Sequence, residues 1–213
     1  MKTLLCYGDS NTYGYNPNTG ARYKEPIRWT TILKDKLGPN FNVVVEGLNG
    51  RTTAYDRSDD AWKNGYSYLL PCIASNKPVD IISIMLGTND CNKDLNLSVD
   101  DISKGMEKLV STIIAECDDI QGFIPSIIIM APAPILKDYA NSPFAYQLDE
   151  NSIIKSESLS SAYKKLAQKY NCLFVDLKGR AEVSKLDSEH LTEKGHKEVA
   201  NLLYKCLKVN GLL

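Results

Sequence analysis

A short apolar run near the N-terminus gives way abruptly to small and polar residues: Thr3-Leu4-Leu5-Cys6-Tyr7 is followed by Gly8-Asp9-Ser10-Asn11-Thr12. A run this short and this apolar is typical of a buried parallel strand. Open α/β sheets bind their ligands at the carboxyl ends of such strands, so the pattern predicts the Ser10 hydroxyl at a sheet edge. Taken alone, Gly-Asp-Ser more often forms an ordinary turn.

A second polar connection, near the C-terminus, adds a carboxylate and an imidazole. Asp187 and His190 lie three residues apart, just before the last amphipathic segment. In a turn or a loose helical geometry this spacing lets the carboxylate reach the ring. The chain has only two histidines. The order serine, aspartate, histidine is also that of α/β-hydrolases, although their Gly-x-Ser-x-Gly motif is absent here.

Apolar runs alternate with segments of helical periodicity along the chain. The predicted strands are 3–7, 41–45, 80–86, 127–130 and 173–175, and the predicted helices are 29–37, 66–75, 98–114, 159–170 and 199–207. Strands and helices that alternate with right-handed crossovers predict an α/β fold in three layers, a parallel sheet with helices on both faces. With 213 residues and no repeat or linker-like segment, we expect one domain over 1–213.

The amino-acid composition limits the kinds of ligand that the protein is expected to bind. The 25 basic and 26 acidic residues give a net charge of −1, which offers no electrostatic basis for binding nucleic acid or an anionic membrane. We therefore expect a small or neutral ligand. The first apolar run is too short for a signal peptide and no run approaches membrane-spanning length, so we expect a cytoplasmic protein.

The six cysteines are scattered along the chain and include no Cys-x-x-Cys pair. Two histidines could not complete a typical zinc site around them, so no metal is expected. Most of the cysteines lie in or beside apolar runs, which favours buried reduced thiols over disulfides.

Four spaced blocks together resemble the SGNH, or GDSL, hydrolase family. In chain order they are Gly8-Asp9-Ser10, Gly50, Gly87-Thr88-Asn89-Asp90 and Asp187-x-x-His190. The resemblance extends over essentially the whole chain. It implies a flavodoxin-like sheet of five parallel strands, in agreement with the periodicity.

The same resemblance implies roles for individual residues. Ser10 would be the nucleophile, and Asp187 and His190 would complete a catalytic triad. The oxyanion hole would consist of the backbone N–H groups of Ser10 and Gly50 and the side-chain amide of Asn89. No cofactor is implied.

Finer features are similar to the aryl esterase and acyltransferase branch of that family. They are Arg28-Trp29, Glu46-Gly47-Leu48 before Arg51-Thr52-Thr53, and the block that begins at Met85. Members of the branch act on short acyl esters, some transfer acyl groups to alcohols, and homo-oligomers occur. One departure is Asn49-Gly50, where the branch commonly has Ser-Ala; a backbone donor survives, but the acyl preference is left open.

The leading hypothesis is a serine esterase that hydrolyses short-chain acyl esters through an acyl-enzyme, with transfer to alcohols as a second outcome. One alternative is a flavodoxin-like module that binds phosphate or FMN through loop 10–14, and another is a carbohydrate-binding, non-catalytic family member. The substrate-binding residues are unknown. We expect loops 13–28, 54–64 and 131–151 to set specificity and to mediate assembly.

Two further expectations concern residues outside the proposed triad. His196 lies in the first turns of the final predicted helix, where we expect a solvent-facing side chain rather than a second base. Asp9 and Asp90 are expected to accept hydrogen bonds from loop N–H groups, and Trp29 is expected in the core.

Overall fold

A computed structural model describes residues 1–57 and 60–213. Its strands are β1 (Lys2–Gly8), β2 (Phe41–Gly47), β3 (Ile81–Met85), β4 (Ser126–Ala131) and β5 (Leu173–Asp176). They form one sheet in the order β2-β1-β3-β4-β5, and every neighbouring pair is parallel. The predicted five-stranded parallel sheet is confirmed, and its strand order is that of flavodoxin-like folds.

Helices cover both faces of this sheet. They are α1 (Ser10–Tyr13), α2 (Trp29–Leu37), α3 (Gly65–Asn76), α4 (Val99–Gln121), α5 (Glu150–Lys169) and α6 (Glu193–Val209). Helices α2 and α6 share one apolar cluster with the sheet, and α3, α4 and α5 share the other. The predicted three-layer α/β fold is therefore confirmed.

Strand β1 shows why the first apolar run has no alternating polar positions. Leu4 and Cys6 belong to the cluster beneath α2 and α6, whereas Leu5 and Tyr7 belong to the cluster on the opposite face. Since both faces of the strand are covered, every position between Thr3 and Tyr7 is buried. The sequence of a strand covered on both faces is a continuous apolar run.

Helix α5 begins nine residues before the predicted start. Asp149 caps it, accepting a hydrogen bond from the Ser152 N–H at 2.7 Å, so the predicted loop 131–151 ends in the first turn of a helix. Ser152 and Ser156 occupy buried positions on the first turns of α5. Serines on the inward face weaken the apolar periodicity that would reveal a helix.

The strand order reverses between β1 and β3, which are neighbours in the sheet although β2 separates them in the chain. Such a reversal opens a crevice at the carboxyl ends of the strands. The Ser10, Gly50 and Asn89 segments directly follow β1, β2 and β3, so all three reach this edge. Among the residues that the structure describes, no helix has the length and apolar character needed to cross a membrane.

Candidate active site

Ser10 is the first residue of the one-turn helix α1, immediately beyond β1. Asp9 caps this turn by accepting a hydrogen bond from the Asn11 N–H at 2.9 Å. Gly8 permits the tight connection, because a Cβ on it would lie 2.1 Å from Thr12 Oγ1. The first N–H groups of a helix have no partner within the helix, so the Ser10 N–H is available beside its own hydroxyl.

The structure brings Ser10, His190 and Asp187 together in one hydrogen-bonded chain. His190 Nε2 lies 2.8 Å from Ser10 Oγ, and His190 Nδ1 lies 2.8 Å from Asp187 Oδ2. All three side chains are buried. The other carboxylate oxygen of Asp187 accepts the backbone N–H groups of Glu189 and His190 at 3.3 and 3.1 Å. Asp187 is therefore held on both sides, and the imidazole is oriented toward the hydroxyl.

The environment of His190 acts on its pKa in two directions. Burial lowers the pKa, while the hydrogen bond with Asp187 and the nearby carboxylates of Glu189, Asp187 and Asp9 raise it. The carboxylates outweigh burial, so the pKa of His190 lies above its usual value. The ring is thus a stronger base than a free imidazole.

Two aromatic rings pack against His190. The Tyr15 ring centre lies 4.2 Å from that of His190, and the Phe144 ring centre lies 5.6 Å away in an edge-on arrangement. Tyr15 lies in the predicted loop 13–28 and Phe144 in the predicted loop 131–151, and neither residue carries a sequence signal that singles it out. These rings restrict the imidazole to the orientation that faces Ser10.

The loop after β2 contains the predicted backbone donor. The Arg51 N–H closes a tight turn by donating to the Leu48 carbonyl at 3.1 Å, and Gly50, at the third position, has φ of +80°. A positive φ at this position favours glycine, which accounts for Gly50 here. Within 1–57 and 60–213, the Gly50 N–H donates to no protein acceptor.

Asn89 lies beside this turn, and its side-chain amide faces two acceptors. Asn89 Nδ2 donates to the Arg51 carbonyl at 3.0 Å and lies 3.5 Å from Asp9 Oδ2, the long limit for a hydrogen bond. An amide nitrogen carries two N–H groups. The Arg51 carbonyl accepts one of them, the long contact with Asp9 holds the other only weakly, and the Asn89 side chain lines the cavity described below.

Arg51 ties the ends of three strands together. Its guanidinium donates to the carbonyls of Gly8, at 2.9 Å, and Glu46, and its own carbonyl holds Asn89. The guanidinium also lies over the Tyr7 ring, 4.3 Å from the ring centre. This one buried residue, through its side chain and its carbonyl, therefore fixes the Ser10, Gly50 and Asn89 loops relative to each other.

Asp9 and Asp90 accept loop N–H groups, as expected. Asp90 is fully buried and accepts both the N–H and the hydroxyl of Thr53, which locks the loop after β3 to the loop after β2. Burial raises the pKa of each carboxyl to about 6. Neither carboxylate contacts Ser10 Oγ or His190 in a hydrogen bond of the described structure.

A cavity of about 390 Å³ opens above these groups. Beyond the predicted residues, charged and amide side chains from surrounding loops line it, namely Arg57, Asp60, Lys63, Asp94, Gln147 and Glu189. Tyr15 also lines this cavity, whereas Tyr55, in the predicted specificity loop 54–64, donates to the Asp101 carbonyl at 2.6 Å. Positions 58 and 59 of the predicted specificity loop 54–64 lie outside the described residues.

His196 is buried, so the expectation of a solvent-facing side chain is wrong. Its Nδ1 accepts the Trp29 N–H at 3.3 Å, and its ring packs edge-on against Tyr23. Burial lowers the pKa of His196 to about 4, so the ring is neutral at pH 7. His196 therefore joins α6 to α2 and does not reach Ser10 through any hydrogen bond of the described structure.

A hydrogen-bonded Ser-His-Asp arrangement at the carboxyl edge of a flavodoxin-like sheet is typical of hydrolases with this three-layer fold. The model of the GDSL-like lipase/acylhydrolase family matches residues 6–198. The chain therefore belongs to the GDSL-like lipase/acylhydrolase family.

Solved structures are similar over nearly the whole chain. A carbohydrate acetylesterase family member from Sinorhizobium meliloti is 33% identical, with a TM-score of 0.91 over 98% of each chain. The aryl esterase of M. smegmatis is 32% identical, with a TM-score of 0.91 over 100% of each chain. No curated protein sequence matched the chain.

Proposed function

We propose that this protein is a serine esterase that cleaves short-chain acyl esters through an acyl-enzyme. The observation that carries the proposal is the unbroken chain from Asp187 through His190 to Ser10, with both hydrogen bonds at 2.8 Å. Serine is a weak nucleophile until a base within hydrogen-bonding distance takes its proton. His190 is placed to be that base, and Asp187 to hold its tautomer and stabilise the imidazolium.

In the first step, Ser10 Oγ attacks the ester carbonyl carbon while its proton moves to His190 Nε2. The carbonyl oxygen gains negative charge and is stabilised by the N–H groups of Ser10 and Gly50 and the Asn89 amide. The carbon–oxygen bond to the alcohol then breaks. His190 returns the proton to the departing alkoxide, which leaves as the alcohol, and Ser10 keeps the acyl group.

In the second step, His190 takes a proton from a water molecule or from an added alcohol, whose oxygen attacks the acyl-enzyme. Collapse of this intermediate restores the Ser10 hydroxyl with the proton from His190. Water yields a carboxylic acid, and an alcohol yields a new ester. The balance between hydrolysis and transfer depends on which of the two reaches the carbonyl carbon first.

The cavity favours a polar alcohol portion in the substrate. Arg57 donates to Gln147 Oε1 at 3.1 Å, and Lys63 pairs with Asp60 at 2.5 Å. The wall of the cavity is therefore rich in charged and amide groups. Such a wall suits an alcohol with several hydroxyl groups better than a long hydrocarbon chain. The similarity to a carbohydrate acetylesterase family member supports the same substrate class.

An acyl-chain series of p-nitrophenyl esters, with and without added alcohol, tests the proposal. We expect kcat/KM to be highest for the acetate, to decline as the chain lengthens, and a new ester to form when alcohol is present. A fluorophosphonate probe should label the protein at one serine. A coloured, flavin-containing protein that neither labels nor cleaves any ester would instead support the phosphate- or FMN-binding alternative.

Asn89→Ala should lower kcat by roughly 10²- to 10³-fold and change KM little, because an oxyanion donor acts mainly in the transition state. Steady-state kinetics with p-nitrophenyl acetate measure the two constants. Asn76→Ala is the matched control, since it removes an amide that donates to a backbone carbonyl, that of Cys72 at 2.9 Å, away from the site. An unchanged kcat in Asn89→Ala would remove Asn89 from the mechanism.

Activity should rise with pH as His190 loses its proton, through a pKa above the ordinary histidine value. Glu189 is one of the carboxylates that raise this pKa, and its Oε1 lies 3.9 Å from His190 Nδ1. Burial raises the pKa of Glu189 to about 7, so its charge and that of the ring change in the same pH range; Glu189→Gln should therefore move the acidic limb of the kcat/KM profile to lower pH. Asp94→Asn, at another carboxylate of the cavity, should leave the limb in place. A shift toward higher pH in Glu189→Gln contradicts the assignment of this limb to His190.

A further inference from the structure

The side chain of Asn11 bridges the backbone on both sides of His190. Its Oδ1 accepts the Leu191 N–H at 2.9 Å, and its Nδ2 donates to the Glu189 carbonyl at 3.1 Å. A carboxamide has one acceptor side and one donor side, so it pairs with this segment much as a neighbouring strand would. The residue between the two bonds is the candidate general base.

Asn11 is itself rigidly held. It follows Ser10 in α1, its N–H donates to Asp9 Oδ1 at 2.9 Å, and its carbonyl accepts the indole N–H of Trp29 at 3.0 Å. Trp29 is 1% exposed and forms part of the core beneath α2. The carboxamide thus projects from a fixed support that also carries the Ser10 hydroxyl.

The His190 loop has other anchors, but they lie on different parts of the molecule. The Leu136 N–H donates to the Ser188 carbonyl at 2.8 Å, and Ser142 Oγ donates to the Asp187 carbonyl at 2.6 Å. Both attach the loop to the segment that follows β4. Within the described residues, the hydrogen bonds that join this loop to α1 are those of Asn11 and the Ser10–His190 bond itself.

We propose that Asn11 is a positioning residue, which sets the distance and angle between the His190 imidazole and the Ser10 hydroxyl. The proposal rests on the proposed esterase function. Proton transfer from serine needs the ring nitrogen within hydrogen-bonding distance, and a displacement of about 1 Å can cost on the order of 10²-fold in rate. Without the carboxamide, the backbone hydrogen bonds of the loop around Ser188, which has φ of +69°, lead only to parts of the molecule that do not carry Ser10.

Asn11→Leu tests the proposal, because leucine has a similar volume and makes neither hydrogen bond. We expect kcat for p-nitrophenyl acetate to fall on the order of 10²-fold with a small change in KM. The acidic limb of the pH profile should also move to lower pH, since a ring displaced from α1 lies farther from the Asp9 carboxylate, which raises the pKa of His190. A residue that only stabilised the fold would change neither the kcat of the folded fraction nor this limb.

The chain offers a closely matched control in Gln121, whose carboxamide also pairs with both backbone groups of one segment. Its Oε1 accepts the Val79 N–H at 2.9 Å and its Nε2 donates to the Val79 carbonyl at 3.0 Å, near the start of β3 and away from the site. Gln121→Met should lower the melting temperature and leave kcat and the pH profile unchanged.

Three outcomes separate the hypotheses. A folded Asn11→Leu protein with the wild-type kcat and pH profile overturns the positioning role, and so does an equal loss of kcat in Gln121→Met. If Asn11→Leu does not fold, Asn11→Ser, which also removes both bonds with a smaller side chain, takes its place with the same expectations. A wild-type protein that cleaves no ester overturns the proposed function instead.

Discussion

Ser10→Ala is expected to lower kcat for p-nitrophenyl acetate on the order of 10⁶-fold, the loss typical of removing the nucleophile from a Ser-His-Asp triad. The reason is geometric as well as chemical. Ser10 Oγ is the one hydroxyl hydrogen-bonded to His190 in the described structure, so no neighbouring side chain can take over the attack. Labelling by a fluorophosphonate should disappear with the activity.

The variant should remain folded, since Ser10 Oγ makes its hydrogen bond with His190 and the cap of α1 comes from Asp9. Thermal unfolding checks this directly. Ser75→Ala serves as the control, because this exposed serine lies near the end of α3 and donates to the Pro71 carbonyl at 2.7 Å. A Ser10→Ala protein that cleaves the ester at the wild-type rate would rule out the acyl-enzyme.

His190→Ala is expected to be nearly as damaging, because subtilisin-type triads lose about the same rate when the histidine or the serine is removed. The alanine variant leaves Ser10 without a base and Asp187 without its partner on the ring side. Steady-state kinetics compare kcat of this variant with kcat of a variant of the second histidine, His196.

The second histidine supplies the contrasting result. His196→Asn keeps an acceptor near the Trp29 N–H, so the variant should fold and retain most of the activity, with a lower melting temperature from lost packing against Tyr23. If His196→Asn were inactive and His190→Ala active, the base would be assigned to the wrong residue.

The sheet could be predicted because its strands are buried on both faces. Leu4 to Tyr7 is a continuous apolar run, Ile81 to Met85 is apolar except for Ser83, and the polar residues after both fall at the carboxyl edge in any parallel arrangement. Ser10, Gly50 and Asn89 follow successive strands, so the topology alone brings their segments near one another. The chain order therefore carried most of the information on the candidate site.

The burial of His196 could have been predicted and was not. Val199, Ala200, Leu203 and Leu207 form the buried stripe of α6, and His196 lies one turn before Val199 on the same face. The helical spacing therefore placed the ring inward.

The side chains that line the cavity could not be predicted from hydrophobic periodicity. Phe144 and Glu189 lie on connections without regular repeats, and their directions follow from turns, caps and tertiary hydrogen bonds. The start of α5 was hidden by serines on its inward face, where the capping pair of Asp149 and Ser152 begins the helix. Side-chain directions of this kind emerge only when the loops pack together.

The hydrogen bond between Ser10 and His190 joins residues 180 positions apart in the chain. Residue 190 must therefore have been synthesised before the two side chains can meet. A nascent chain still on the ribosome carries its serine from the start but has no imidazole to activate it. Ester cleavage is thereby withheld until residue 190 has been made, and its appearance during refolding marks the closing of a 180-residue separation along the chain.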